Sequence, residues 1–95
     1  MRRHYLITYD VSDDKRRTRI FETLKDSGDH VQFSVFFCEL NAMELASLRT
    51  LLMPLVNEKE DQIMLVDLGP SHAPLEGGIE CLGKPYEPTT RTMIF

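Results

Sequence analysis

One carboxylate and a cluster of cations carry the chemistry this chain could do. Asp10 closes the stretch Tyr5-Leu-Ile-Thr-Tyr-Asp10, and Lys15, Arg16, Arg17 and Arg19 follow close behind. An aspartate at the end of a buried strand beside arginines suits a divalent metal and a phosphate. Carboxylate oxygens are hard ligands, and guanidinium forks match phosphate oxygens. A lone carboxylate is a poor magnesium site, because the ion takes octahedral oxygen ligands and usually keeps several waters with one or two carboxylates. A two-fold axis near Asp10 would bring a second Asp10 from another copy of the chain. A metal held there can polarise a phosphodiester and activate water, with Arg17 and Arg19 offsetting phosphate charge. Tyr9, Ser34 and Phe36 could hydrogen-bond or stack a nucleotide. Each residue also has a plainer structural reading: Asp10 in an ion pair with Arg17, Ser34 an ordinary strand residue, Phe36 an interface filler. His30 reads as a general base or phosphate contact, or more plainly as a surface turn histidine.

These residues need elements to place them. Positions 4–10 are apolar, aromatic and β-branched without Gly or Pro, which predicts an interior strand with Tyr5, Ile7 and Tyr9 on one side. A helix is expected over 13–27, capped by Ser12, with Asp13 and Asp14 in its first turn and Ile20, Phe21 and Leu24 as its buried stripe. Arg17 falls at the start of that stripe, and Arg16 and Arg19 share another, exposed face. Gly28 suits the left-handed position that ends a helix. Residues 31–40 form a second extended stretch, either one bent strand or two meeting at a bulge. Val31, Phe33, Val35 and Phe37 should face the helices, leaving Phe36 on the other side. Asn41-Ala-Met-Glu44 is a capping-box variant opening a helix striped by Leu45, Leu48, Leu52 and Leu55 and ended by Pro54. A polar turn at 57–61, an interior strand at 62–68 stopped by Gly69-Pro70, a short strand at 79–82 and an apolar edge strand, Met93-Ile-Phe95, complete the chain.

The order β-α-β-(β)-α-β predicts an α+β, ferredoxin-like sandwich: two helices on one face of a largely antiparallel sheet, with an extra C-terminal strand. Residues 1–95 are expected to form a single ferredoxin-like domain, with about 83–95 extended and pairing with a partner subunit. Apolar residues on the far face, Leu6 and Met64 among them, require a cover. A second copy packed sheet to sheet in a homodimer is the simplest one.

The net charge of −4 and pI near 5.3 exclude a general basic coat, so any nucleic-acid contact must come from a local patch or a metal. No run approaches the about 20 apolar residues of a membrane span, and no signal peptide is expected. Cys38 and Cys81 show no zinc spacing, and both are expected as buried thiols in a reducing cytoplasm. His4, His30 and His72 form no ligand spacing, and Gly77-Gly78 lacks a phosphate-loop pattern.

The stretches Tyr5-Leu-Ile-Thr-Tyr-Asp10-Val-Ser-Asp13-Asp-Lys-Arg-Arg17-Thr-Arg19 and Gly28-Asp-His-Val-Gln32-Phe-Ser34-Val-Phe36-Phe-Cys-Glu-Leu40 resemble the CRISPR-associated protein 2 family, the small partner of the CRISPR adaptation integrase. The resemblance is specific over about the first 40 residues. It implies the ferredoxin-like fold, a homodimer whose C-terminal strand crosses to the partner sheet, and a metal-dependent phosphodiesterase acting on single-stranded RNA or double-stranded DNA. It further implies that two Asp10 residues of a dimer share one Mg2+, with Tyr9, Arg17, Arg19, Ser34 and Phe36 on site-associated positions. Some relatives carry Arg where this chain has His30. Other members act as a non-catalytic scaffold bridging the integrase and spacer DNA. For this chain such a scaffold would use Arg2, Arg3, Arg16 and Arg19. Two further readings are an RNA-cleaving toxin of similar fold, told apart by linkage to CRISPR genes, and a small-molecule regulatory module, for whose polar pocket at the dimer interface the sequence shows no signature.

Overall fold

The computed structural model describes residues 1–72 and 78–85. Its elements run β1 (Arg3–Asp10), α1 (Asp14–Lys25), β2 (Gly28–Gln32), β3 (Val35–Leu40), α2 (Ala42–Leu52), a single 3-10 turn (Met53–Leu55) and β4 (Gln62–Pro70). The four strands form one sheet in the order β2-β3-β1-β4, antiparallel throughout. This is the expected α+β arrangement.

β1 is interior, as its apolar composition requires: β3 lies on one side and β4 on the other. Its Tyr5, Ile7 and Tyr9 are buried under the helices with Ile20, Leu24, Phe36, Cys38, Leu40, Leu45, Leu48 and Leu52. The opposite face brings together Leu6, Thr8, Val35, Phe37, Met64 and Val66, which are aligned across the three strands. The segment around Ile79, Cys81 and Lys84 flanks a cavity of about 630 Å³ over part of this face.

α2 follows its sequence signals. The Asn41 side chain accepts from the Glu44 amide at 2.8 Å, and the Glu44 carboxylate accepts from the Asn41 amide at 2.8 Å. Pro54 falls in the 3-10 turn that ends the helix.

Several expectations are corrected. Asp13, not Ser12, caps α1, because it is the residue whose carboxylate reaches the Arg16 amide, at 2.9 Å. The helix ends at Lys25, and Gly28 is the first residue of β2 rather than a left-handed terminator. Its glycine is needed for close approach: a Cβ there would lie 2.4 Å from Cys38 Sγ and 2.5 Å from the Phe37 carbonyl oxygen.

The stretch 31–40 is divided between two strands, the second of the two expected alternatives, but they meet at a turn rather than at a bulge. It is the end of one strand and the whole of the next, joined by the two-residue turn Phe33-Ser34, with Ser34 at φ 64°. A register shift lies between His30 and Gln32. Together they reverse the expected faces. Phe36 is fully buried under the helices, Phe37 faces the opposite side, and Phe33 is 81% exposed. β4 continues through Gly69 and Pro70, with a bulge opposite His4 and Tyr5, and among the described residues it lies at the sheet edge rather than inside. Residues 79–82 form no strand, and Cys81 is exposed whereas Cys38 is buried. The edge strand expected at 93–95 and most of the extended segment 83–95 lie outside the described residues.

Candidate functional site

The basic residues divide by what they hold. Arg16 is half-buried. It donates from Nε to Asp61 at 2.7 Å and from Nη2 to Asp61 and Glu60, each at 3.1 Å. The Asp61 side chain is fully shielded from solvent and also accepts from the Asn57 amide at 2.9 Å. Arg16 holds the Asp61 carboxyl below its ordinary value, and the carboxylate raises Arg16 in return. The expectation of an exposed Arg16 is therefore corrected: an acid far along the chain reaches back to cover it. Arg2 pairs with Glu39 at 3.4 Å and Glu44 at 2.8 Å, and Arg3 pairs with Asp67 at 2.9 Å. Arg17 donates to the Val11 carbonyl at 2.8 Å and the Ser12 carbonyl at 3.3 Å and pairs with Asp14, so it staples the connection between β1 and α1. Lys15 and Arg19 are exposed and enter none of the ion pairs among the described residues.

Asp10 ends β1 opposite Gln62 of β4 and is exposed. It does not pair with Arg17, whose carboxylate partner is Asp14. Among the described residues no ion pair involves Asp10, and no group of three or more His, Cys, Asp or Glu side chains could hold a metal ion. Asp10 thus stands as one free carboxylate at the exposed end of an interior strand. That fits a magnesium ion as half of a carboxylate pair, with the second coming from another molecule.

Tyr9, Arg17 and His30 do come together. With Thr18, Phe21 and Phe33 they line a groove of about 180 Å³ on the helix side of the sheet. The sequence expectation left His30 just ahead of the second extended stretch, in its plainer reading a surface turn histidine. The structure places it inside β2, opposite Phe36 and against α1. Its ring lies 5.1 Å from Phe21, edge-on, and 4.9 Å from Phe36. Phe36 also packs on Phe21 at 5.6 Å and stacks with Tyr9 at 6.3 Å. It is fully buried behind Tyr9, Phe21 and His30 and does not itself line the groove, so it is neither an interface filler nor an accessible stacking surface.

Ser34 is a turn residue. Its carbonyl accepts from the Tyr9 amide at 3.1 Å, fastening the hairpin tip to the end of β1. Burial pushes the Tyr9 hydroxyl above its ordinary value, opposed by a hydrogen bond with the Ser34 side chain and by the Arg17 charge. Arg19 lies outside the groove but adjoins it: Asp14, Lys15, Thr18 and Arg19 line a shallow depression that shares Thr18 with the groove. Asp10 lines neither. Sequence reasoning missed Thr18 and Phe33. The available signal for Phe33 was Ser34, a residue type at home in turns.

Comparison with known proteins gives a consistent answer. The family model described as CRISPR associated protein Cas2 matches residues 2–73. The chain is 34% identical over 87 residues to the CRISPR-associated endoribonuclease Cas2 1 of Rhodospirillum rubrum, covering 92% of this chain and 84% of that one. It is 42% identical over 71 residues to the CRISPR-associated endoribonuclease Cas2 of Thermus thermophilus, covering 74% and 76%. Among solved structures it resembles a hypothetical protein from Thermus thermophilus, with a TM-score of 0.78 at 31% identity over 94% of this chain and 100% of the other. It also resembles Streptococcus pyogenes Cas2, with a TM-score of 0.72 at 29% identity over 84% and 99%. The sheet order, the motif around Asp10 and these matches agree: this chain belongs to the CRISPR-associated protein Cas2 family.

Proposed function

We propose that this chain acts as a cytoplasmic homodimer that hydrolyses phosphodiester bonds in single-stranded RNA or double-stranded DNA, in CRISPR spacer acquisition and antiviral defence. On this reading residues 1–95 form one domain, with 83–95 reaching toward the partner subunit. One Mg2+ is held between the Asp10 carboxylates of the two copies, and the CRISPR integrase subunit is a further partner.

The observation that carries the proposal is the state of Asp10. The acids near it in the chain and in space are engaged: Asp13 caps α1, Asp14 pairs with Arg17, and Asp61 is enclosed by Arg16. Asp10 alone is exposed and unpaired among them, at the end of a strand fixed on both sides by its neighbours. The apolar far face of the sheet supports the dimer, since Met64 remains 49% exposed there in a single chain.

When bound, magnesium supplies polarisation of the phosphodiester and activation of water. The chain's own residues position the substrate. Arg19 and Lys15 attract phosphate oxygens. Arg17 fixes the β1–α1 connection, and with it the direction of Asp10. Tyr9 carries its hydroxyl proton at neutral pH, as an ordinary tyrosine does, and burial pushes it further in that direction. The alternative, a non-catalytic scaffold bridging integrase and spacer DNA, finds less support from the cations first expected to serve it. Of those four, Arg2, Arg3 and Arg16 are already paired with acids, and Arg19 enters no ion pair among the described residues.

The test is cleavage of end-labelled single-stranded RNA and double-stranded DNA by wild type and Asp10→Ala, with magnesium and with chelator. Cleavage that requires both magnesium and Asp10 is expected, and the substrate cut names the preference. A folded dimer that cuts nothing would overturn the nuclease in favour of the scaffold. Cutting that survives Asp10→Ala would remove Asp10 from the site.

A further inference from the structure

We infer that the groove beneath the β2–β3 turn takes one unpaired nucleobase, stacked on Phe33, with the adjoining phosphate on Lys15 and Arg19. The inference deepens the nucleic-acid reading above, and it favours single strands over duplex.

An exposed phenylalanine alone carries little, since single apolar side chains are common on protein surfaces. Here three observations converge. Phe33 is 81% exposed, yet it is held on a short turn that the Tyr9–Ser34 hydrogen bond ties to the sheet, so its ring is presented from a rigid base. Its neighbours in the groove, Tyr9, Phe21 and His30, are aromatic, with Thr18 and Arg17 at the rim. At about 180 Å³ the groove is smaller than the roughly 300–1,000 Å³ of pockets that enclose a whole drug-sized ligand. It suits one ring system with the rest of the molecule outside.

The charge is placed for that remainder. Thr18 is shared with the depression lined by Asp14, Lys15 and Arg19. Asp14 is engaged by Arg17, whereas Lys15 and Arg19, four residues apart on one helical face, enter no ion pair among the described residues. An aromatic platform beside free cations is the arrangement by which single-stranded nucleic acid is held: bases stack, phosphates follow the charge. A base inside a duplex is stacked and paired on both sides and cannot enter such a groove without flipping.

The experiment uses a short single-stranded RNA carrying one 2-aminopurine, the same strand with an abasic site at that position, and a matched duplex. Binding is measured in chelator, so that no cleavage occurs. Wild type is expected to bind the intact strand and change the 2-aminopurine emission as the base stacks. Phe33→Ala is expected to weaken that binding about tenfold and abolish the emission change, while affinity for the abasic strand and the duplex stays as in wild type. Phe33→Trp is expected to restore affinity. Its emission reports the stacked base directly, because the natural chain has no tryptophan. The inference is overturned if Phe33→Ala binds the intact strand as wild type does, or if it loses all three ligands equally. It is also overturned if wild type binds only duplex. Stacking without magnesium-dependent cleavage would instead sink the nuclease and leave the groove standing, so the two readings fail separately.

Discussion

The two helices cover the same face of the sheet with different chemistry. α2 is a packing element: Leu45, Leu48 and Leu52 are buried, and its N-terminus is closed by its own capping box. α1 buries only Ile20 and Leu24 and gives most of its remaining surface to charge. Of its five cations, Arg16 is enclosed by Asp61, Arg17 staples the preceding loop, Lys25 lies 5.9 Å over the Phe21 ring, and Lys15 and Arg19 line the depression beside the aromatic groove. The difference shows how a small domain divides labour. Both helices seal the core, with Ile20 and Leu24 of α1 fully buried, and the unpaired charge that can meet a ligand stands on the outer surface of α1.

The comparison breaks if a change in α2 alters binding per folded molecule. Leu48 is 2% exposed, and truncating such a leucine costs about 2–5 kcal/mol from lost transfer energy and the cavity left behind. A domain of this kind is stable by only about 5–15 kcal/mol. Leu48→Ala is therefore expected to lower the thermal midpoint and the denaturant midpoint markedly. Nucleic-acid affinity, corrected for folded fraction, should stay unchanged. A loss of affinity in the fully folded variant would show that α2 contributes to the binding surface.

A smaller effect is expected at the Arg16–Asp61 pair, which joins α1 to the turn before β4. Arg16 holds the Asp61 carboxyl below its ordinary 3.8. The folded chain therefore binds that proton less readily than the unfolded one. The pair's contribution is complete above the ordinary carboxylate range and is lost as pH falls through and below it. Asp67, held down by Arg3, and Glu44, held down by the Asn41 amide and by Arg2, act in the same direction. Asp61→Asn is expected to lower the thermal midpoint at neutral pH and to flatten its fall below about pH 4. An unaltered acid limb would assign that limb to the other two carboxylates.

The same division explains how far the sequence could be read. The capping box, the leucine spacing and Pro54 of α2 act over a few residues, so they are visible in the chain. So is the position of Asp10 at the end of an interior strand, because composition marks the strand and the carboxylate marks its end. The groove was not visible. Whether Phe33 or Phe36 faces inward depends on a two-residue turn at Ser34 and a register shift after His30, and reading straight alternation through them inverts both rings. Gly28 reads as a helix terminator until Cys38 occupies the space of its missing Cβ. Arg16 looked as free as Arg19 because its partner lies 45 positions away. Local rules placed the elements, and contacts between distant segments decided which residues remain available for function.

The sharpest form of the comparison is between those two arginines, three residues apart on one helix. Arg19 is exposed and unpaired among the described residues, and alanine is a better helix former than arginine, so Arg19→Ala should leave the thermal midpoint where it is or raise it slightly. Losing one phosphate contact should weaken single-strand binding and make the plot of log affinity against log salt shallower by about 0.7. Arg16→Ala should do the reverse. It leaves Asp61, whose side chain is shielded from solvent, without its counter-charge, so the thermal midpoint falls while the salt slope is unchanged. Equal salt slopes for wild type and Arg19→Ala would mean that the phosphate path does not cross this face of α1. The search for it would then move to the open end of β1, where Asp10 lies.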